Sequence, residues 1–158
     1  MDQSEYEMHF KDYSIYIDKN GNWFHEGGRI GRMPLVKLFA SVLKRQDDGT
    51  YWLVTPAERE QIGVEDLPFL VTGYKGVPGR DYEITLITNL DDEVPLGWDH
   101  VFQVDKDSDI PRVKVRDGLY ARLNRSVFFD FADAAEEEKE GFKGFIAGGV
   151  FHPVGKAV

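Results

Sequence analysis

The chain carries one local pattern twice, and this repeat constrains its fold more than any other feature. The first copy runs from Ile17 to Phe39 and the second from Val115 to Ala132. In each copy a hydrophobic strand leads into a tight turn at Gly21 or Gly118, followed by an apolar-x-Arg triplet and an amphipathic helix. The repeat predicts two similar units, and a boundary between two units is a common place for a small ligand.

Composition indicates a folded protein. Of the 158 residues, 42% are hydrophobic and 13% aromatic, which is enough to build a core. The chain has no cysteine, so disulfides, thiolate nucleophiles and cysteine metal sites are excluded. No apolar stretch approaches the roughly 18 residues of a membrane helix, and the first residues lack a secretory pattern. We expect a cytoplasmic protein with no membrane span.

The distribution of charge supports the repeat. The net charge is -9, which argues against general nucleic-acid binding. Residues 27–46 nevertheless carry +5 and residues 112–125 carry +4, which leaves -18 for the rest of the chain. These two basic segments coincide with the two copies of the repeat, so we expect a small anionic ligand as the partner.

Strand patterns joined by short turns dominate the chain, with one helix in each half. This predicts an α+β fold of two similar small domains, whose sheets are mostly antiparallel and each packed by one helix. The N-terminal domain is predicted at residues 1–65, with a polar lead-in at 1–11, a hairpin, a helix at 34–45 and a strand at 51–54. The C-terminal domain is predicted at 66–140, with a capping helix at 126–138 and a separate tail at 141–158.

Several short motifs occur in an order that resembles a known bacterial family. They are Trp23-Phe24-His25-Glu26-Gly27, Arg32-Met33-Pro34-Leu35-Val36, Tyr51-Trp52-Leu53-Val54-Thr55-Pro56, Val64-Glu65-Asp66-Leu67-Pro68-Phe69, Thr88-Asn89 and Val115-Arg116-Asp117-Gly118-Leu119. Together they are similar to the uncharacterised family called domain of unknown function 1285. The resemblance implies a duplicated core, a C-terminal domain with a bent sheet and terminal helix like a pleckstrin-homology fold, a pocket between the domains for a nucleotide-like ligand, and a signalling role.

Arg32 and Arg125 are the first candidates for ligand binding, because each lies just before a predicted helix. A helix N-terminus offers free N–H groups, and a guanidinium can bind a phosphate through two hydrogen bonds. The alternative is structural, with each arginine anchoring its loop to Glu26 or Asp117. The residue pattern leaves both interpretations open.

Arg122, Asn124 and Trp23 complete the predicted ligand site. Arg122 and Asn124 alternate along a strand and therefore point to the same side, where they could hold charge. Trp23 could stack on a base. The alternatives are a solvated strand cation for Arg122 and a core aromatic for Trp23.

The sequence shows no recognisable catalytic or metal-binding pattern. No nucleophile motif is present, and the histidines lack metal-ligand spacing; they are His9, His25, His100 and His152. We therefore predict a non-catalytic module without cofactor or metal, which binds an anionic, nucleotide-like ligand between its domains. The alternative is a protein-interaction scaffold that uses the acidic surface or the tail.

Overall fold

The structure, a computed structural model, describes residues 8–157, so residues 1–7 of the predicted lead-in lie outside the described part. The chain divides into a unit that ends at Pro68 and a unit that begins at Phe69. The sequence-based boundary falls three residues earlier. The predicted tail is not separate in the structure, because residues 142–156 form two strands of the C-terminal unit.

The N-terminal domain is a six-stranded sheet with one helix. After a short 3-10 turn at Phe10–Asp12, its elements are β1 Ile15–Ile17, β2 Trp23–His25, β3 Gly28–Arg29, α1 Met33–Ser41, β4 Leu43–Arg45, β5 Tyr51–Val54 and β6 Arg59–Val64. The strand order is β3-β2-β1-β6-β5-β4. β1 and β6 run parallel at the centre, and the other neighbours are antiparallel.

The C-terminal domain has a six-stranded sheet, one helix and a second, three-stranded sheet. Its elements are β7 Phe69–Lys75, β8 Thr85–Thr88, β9 Glu93–Pro95, β10 Phe102–Gln103, β11 Arg112–Arg116, β12 Leu119–Leu123, α2 Arg125–Asp133, β13 Glu137–Lys139, β14 Phe142–Ala147 and β15 Val150–Lys156. The large sheet has the order β10-β11-β12-β7-β8-β9, with β12 and β7 parallel at its centre. The small sheet has the order β13-β14-β15.

The two large sheets have the same topology. Read from its other end, the C-terminal order is β9-β8-β7-β12-β11-β10, which matches the N-terminal order strand for strand when β1–β6 are compared with β7–β12. In both sheets the first and last strands form the central parallel pair. The predicted α+β fold of two similar, mostly antiparallel domains with one helix each is therefore confirmed.

The repeat seen in the sequence does not align equivalent strands. It matches the β1–β2 hairpin with the β11–β12 hairpin, whereas sheet position matches β1–β2 with β7–β8. The helix also differs in position, because α1 lies between β3 and β4 while α2 follows β12. The two similar sequence patterns arise because each is a hairpin followed by a helix. They do not occupy equivalent positions in the two duplicated sheets.

The prediction of a helix at 34–45 was wrong at its C-terminal end. The helix begins at Met33 and ends at Ser41, and Leu43–Arg45 form β4. The Val42 carbonyl accepts a hydrogen bond from the Val54 N–H, and Leu43 pairs with Leu53. Leu43 is fully buried in this pairing. Residues 43–45 therefore form a strand, although their helical spacing alone predicts that the helix continues through them.

The prediction of a helix at 126–138 was also too long. Helix α2 ends at Asp133, and Glu137–Lys139 form β13. Carboxylates in a last helical turn oppose the helix dipole, which weakens an extension through the glutamates. Glu140 and Gly141, with φ of 53° and 84°, then form the two-residue turn that pairs β13 with β14.

An aromatic cluster joins the helix and both sheets of the C-terminal domain. The Phe131 ring of α2 lies 5.0 Å from Tyr74 of β7, 5.3 Å from Phe102 of β10 and 5.0 Å from Phe145 of β14. His152 of β15 lies 5.2 Å from Phe145. This cluster fixes the small sheet against the rest of its domain.

Within residues 8–157 no helix could span a membrane, since α1 and α2 have nine residues each.

Candidate functional site

The small sheet of the C-terminal domain is apolar on both faces. Residues alternate along a strand, so Phe145 and His152 point into the core while their neighbours Ile146 and Phe151 point outward. Ile146 and Phe151 are direct cross-strand partners. A sheet that faces water on one side usually carries polar residues there, so an apolar outer face is a departure that calls for a functional explanation.

This outer face forms the floor of a cavity of about 590 Å³, which we call the C-terminal pocket. Its principal apolar residues are Trp98, Phe142, Ile146, Phe151 and Pro153, and its charged rim is residues 137–140. The volume lies in the range of cavities that hold a small ligand or a few side chains of a partner.

Trp98 lies at the mouth of the C-terminal pocket. It is part of a tight turn closed by paired backbone hydrogen bonds between Gly97 and His100. The His100 ring nitrogen Nδ1 lies 2.7 Å from the Lys114 carbonyl, which ties the turn to β11. Trp98 is 79% exposed, so a large apolar ring is held in water on an anchored turn.

The rim of the pocket is acidic. Glu137, Glu138 and Glu140 surround one cation, Lys139, and all four side chains are exposed. Within residues 8–157, none of the four has a side-chain hydrogen bond or an ion pair. The rim therefore presents unneutralised negative charge to the solvent.

His152 supports the pocket from behind. Its Nδ1 accepts a hydrogen bond from the Phe102 N–H at 3.3 Å, and its Nε2 donates to the Ala147 carbonyl at 3.0 Å. One nitrogen faces a donor and the other an acceptor, so the neutral ring fits both bonds. Burial lowers the pKa of His152, which favours the same neutral form.

The structure commits Arg122 to an internal ion pair. Its Nη1 lies 3.0 Å from Asp105 Oδ2 and donates to the Ile110 carbonyl at 2.8 Å. The Arg122 side chain is only 11% exposed. Its surroundings give it a structural role in fixing the loop that precedes β11.

Asn124 and Arg125 lie side by side but differ in role. The Asn124 side chain accepts a hydrogen bond from the Val127 N–H at 2.8 Å and so caps α2. Arg125 is the first residue of the helix, rather than the residue before it, and is exposed. The anchoring alternative of the sequence analysis, an ion pair with Asp117, is not seen within the described residues.

Trp23 is a core residue of the N-terminal domain. It is 1% exposed, and its ring stacks on Phe39 of α1 with centroids 6.3 Å apart. Its Nε1–H is buried and has no acceptor within the described residues. In this position neither face of the ring is open to a base.

Arg32 is the N-cap residue of α1 and is exposed, and its side chain makes no capping hydrogen bond. No ion pair with Glu26 is present within the described residues. The Leu35 and Val36 N–H groups both donate to the Arg32 carbonyl, and Pro34 has no N–H. Of the first four helix residues, only Met33 could offer its N–H to an anion.

The predicted site residues thus separate into two groups. Trp23 is buried in the core of its domain, and Arg122 and Asn124 make hydrogen bonds within theirs. Arg32 and Arg125 are exposed, and neither guanidinium has a partner within residues 8–157. Trp98 and the apolar outer face of the small sheet were not among the predicted site residues. Large apolar residues occur at both odd and even positions from Phe142 to Phe151, which indicates that both faces of the sheet are apolar. This pattern could have identified the outer face from the sequence.

A second cavity, of about 500 Å³, lies in the N-terminal domain beside Phe10, Tyr13 and Gln61. None of the predicted ligand residues lines either this cavity or the C-terminal pocket. The Tyr13 hydroxyl already accepts a hydrogen bond from Gln61 Nε2 at 3.1 Å. Phe10, Tyr13 and Tyr51, which line this cavity, are only partly exposed, whereas Trp98 is 79% exposed. The C-terminal pocket is therefore the stronger candidate.

Solved structures share this architecture. A DUF1285 family protein from Silicibacter pomeroyi DSS-3 is 31% identical, with a TM-score of 0.78 over 91% of this chain and 80% of that chain. A DUF1285 family protein from Shewanella baltica OS155 is 23% identical, with a TM-score of 0.62 over 78% of this chain and 94% of that chain, and shows the shared fold. No curated protein matches the sequence.

Family models cover nearly the whole chain. The model described as "Domain of unknown function (DUF1285), N-terminal domain" matches residues 7–67. The model described as "Protein of unknown function (DUF1285), C-terminal domain" matches residues 68–154. The resemblance noted from the short motifs is thereby confirmed, and the chain belongs to the DUF1285 family.

Proposed function

We propose that the protein is a non-catalytic binding module whose C-terminal domain binds a protein partner through the C-terminal pocket. This proposal rests mainly on the exposure of Trp98, whose large apolar ring is accessible to solvent at the mouth of an apolar cavity. Exposed aromatic residues grouped with an apolar surface are typical of interaction sites, where tryptophan often supplies much of the binding energy.

The pocket is better suited to binding than to catalysis. Its ionisable groups are the exposed side chains of residues 137–140. A general acid or base is usually held inside a cleft, within hydrogen-bond reach of the reacting group and partly removed from water. The chemistry that the pocket does offer is an apolar surface with negative charge around it.

Replacement of Trp98 by alanine tests the proposed function. A photo-crosslinking amino acid at position 139 on the pocket rim, with Trp98 kept, would first identify the partner, which is then purified. We expect Trp98→Ala to weaken the Kd for that partner by about thirtyfold, equivalent to about 2 kcal/mol, because it removes the ring that would be buried. Calorimetric titration measures the change.

Phe129→Ala is the matched control. Phe129 is also an exposed aromatic of the C-terminal domain, at 59%, but does not line the pocket. Its replacement should leave the Kd within about twofold of the original value. Equal affinity of the original chain and Trp98→Ala for the crosslinked protein would refute the proposed function.

As a second candidate, we propose that the exposed arginines Arg32 and Arg125, each within its own domain, bind small anionic, nucleotide-like ligands in a signalling role. The supporting observation is that both guanidinium groups are exposed and unpaired within the described residues. Arg29 lies close to Arg32 in a segment of the chain that has no acidic residue from Gly27 to Gln46.

Thermal melting with ATP, GTP and inorganic phosphate tests this second candidate. A ligand that binds the folded state should raise the Tm by about 2 °C or more at concentrations well above its Kd. The double change Arg32→Ala with Arg125→Ala should abolish the rise. Lys44→Ala with Arg45→Ala removes the same charge from β4 and should preserve it. No rise with any of the three probes, or an undiminished rise in the Arg32/Arg125 variant, would contradict this candidate.

A further inference from the structure

We propose that the occupant of the C-terminal pocket is a protein segment that presents one or a few large apolar side chains flanked by lysine or arginine. This inference rests on the proposed function and specifies the chemistry of the partner. It follows from the two unlike parts of the pocket, an apolar floor and an acidic rim.

The floor selects apolar side chains. Phe142, Ile146 and Phe151 lie on the outer face of β14 and β15, beside the exposed ring of Trp98. Aromatic and long aliphatic side chains bury most area against such a surface, while a charged group placed there would lose its hydration without gaining a partner.

The rim selects positive flanks. Residues 130–140 carry six carboxylates and one lysine, a net charge of -5 within eleven residues. The rim carboxylates of Glu137, Glu138 and Glu140 are unpaired within the described residues, so a cationic segment would meet them without displacing an internal ion pair. An acidic segment would be repelled by the same groups.

The short, charged edge strand β13 disfavours a partner that adds a new strand to the small sheet. It favours a partner that is bound through its side chains. β13 is an edge of the small sheet, but it is only three residues long, and all its side chains are charged and exposed. Short, charged edges are a common device against strand addition. The partner is therefore expected to insert side chains into the pocket rather than extend the sheet.

Three labelled peptides test the inference on the full chain. The first has Leu-Phe-Leu between pairs of lysines, the second has the same core between pairs of glutamates, and the third has Ser-Gly-Ser between pairs of lysines. Fluorescence anisotropy with a neutral dye gives each Kd. We expect the first peptide to bind at least tenfold more tightly than either of the others, with the difference from the second shrinking between about 50 mM and about 500 mM salt, because salt screens exposed charges.

The outcomes separate the inference from the proposed function. If the two apolar peptides bind equally, the charge requirement is wrong but the pocket remains a protein-binding site. If the two basic peptides bind equally, binding is general charge attraction and the inference is overturned. If no peptide binds while the chain sediments with phosphatidylcholine vesicles in a Trp98-dependent manner, a lipid surface is the occupant and both proposals fail.

A charge-matched pair of variants locates the effect on the rim. Glu137→Lys with Glu138→Lys should weaken binding of the first peptide at least tenfold. Glu58→Lys with Glu60→Lys changes the net charge equally, on exposed residues of the N-terminal domain, and should change the Kd less than threefold. Equal losses in both variants would show that total charge, and not the rim, attracts the peptide, which would overturn the inference.

Discussion

Phe131→Ala is expected to destabilise the C-terminal domain by about 3–5 kcal/mol, the usual cost of removing a buried phenylalanine ring. Phe131 is fully buried, and its ring contacts Tyr74, Phe102 and Phe145. These contacts join α2, the large sheet and the small sheet, so the cavity left by alanine would open where three elements meet. Such a loss is a large part of the 5–15 kcal/mol that typically stabilises a domain.

Urea unfolding followed by circular dichroism measures this loss, with Phe129→Ala as the control in the same helix. Phe129 lies two residues away and is 59% exposed, so its replacement should change the free energy of unfolding by about 0.5 kcal/mol or less. Phe131→Leu, which keeps most of the volume, should lie between the two. Equal stability of the Phe131→Ala and Phe129→Ala variants would show that the cluster does not hold the small sheet in place.

Gly148→Ala is expected to destabilise the C-terminal domain by about 3 kcal/mol. Gly148 has a φ of 59° in the turn between β14 and β15, and its N–H donates to the Tyr82 carbonyl at 2.7 Å. A Cβ at this position would lie 2.1 Å from the Leu96 carbonyl oxygen. The left-handed backbone costs about 1–2 kcal/mol for alanine, and the forced movement of the turn or of Leu96 adds about as much.

Gly118→Ala isolates the cost of backbone strain. Gly118 has a φ of 77° in the β11–β12 turn, and within residues 8–157 no atom beyond its chain neighbours lies within 4 Å of the position that a Cβ would take. Alanine at Gly118 should therefore cost only the conformational term, about 1–2 kcal/mol. Urea unfolding of both variants gives the comparison, and equal losses would argue against the close packing of the β14–β15 turn on Leu96.

The sequence predicted most strands and turns well, because alternation and glycine turns are local signals. The predicted strand at 51–54 matches β5, and the hairpins at Gly21 and Gly118 both form. The predicted C-terminal ends of both helices were wrong because the residues there form strands. Leu43–Arg45 pair with β5, and Glu137–Lys139 pair with β14. Helical spacing contains no information about such pairing.

The candidate site was harder to predict, because the direction of a strand side chain depends on the sheet it joins. Trp23 could have stacked on a ligand or filled the core, and the sheet places it in the core. Arg122 could have faced solvent, but the loop before β11 brings Asp105 to it. Trp98 has no motif around it, and its importance appears only when the small sheet places an apolar face beside it.

The most direct test of the pocket uses the three tryptophans of the chain as reporters. Trp23 and Trp52 belong to the N-terminal domain and Trp98 to the mouth of the C-terminal pocket. In an NMR titration of the full chain with the Leu-Phe-Leu peptide flanked by lysines, the indole N–H signal of Trp98 should shift while those of Trp23 and Trp52 stay fixed. A shift confined to Trp23 or Trp52, or no shift at a peptide concentration that saturates binding, would contradict the C-terminal pocket as the binding site.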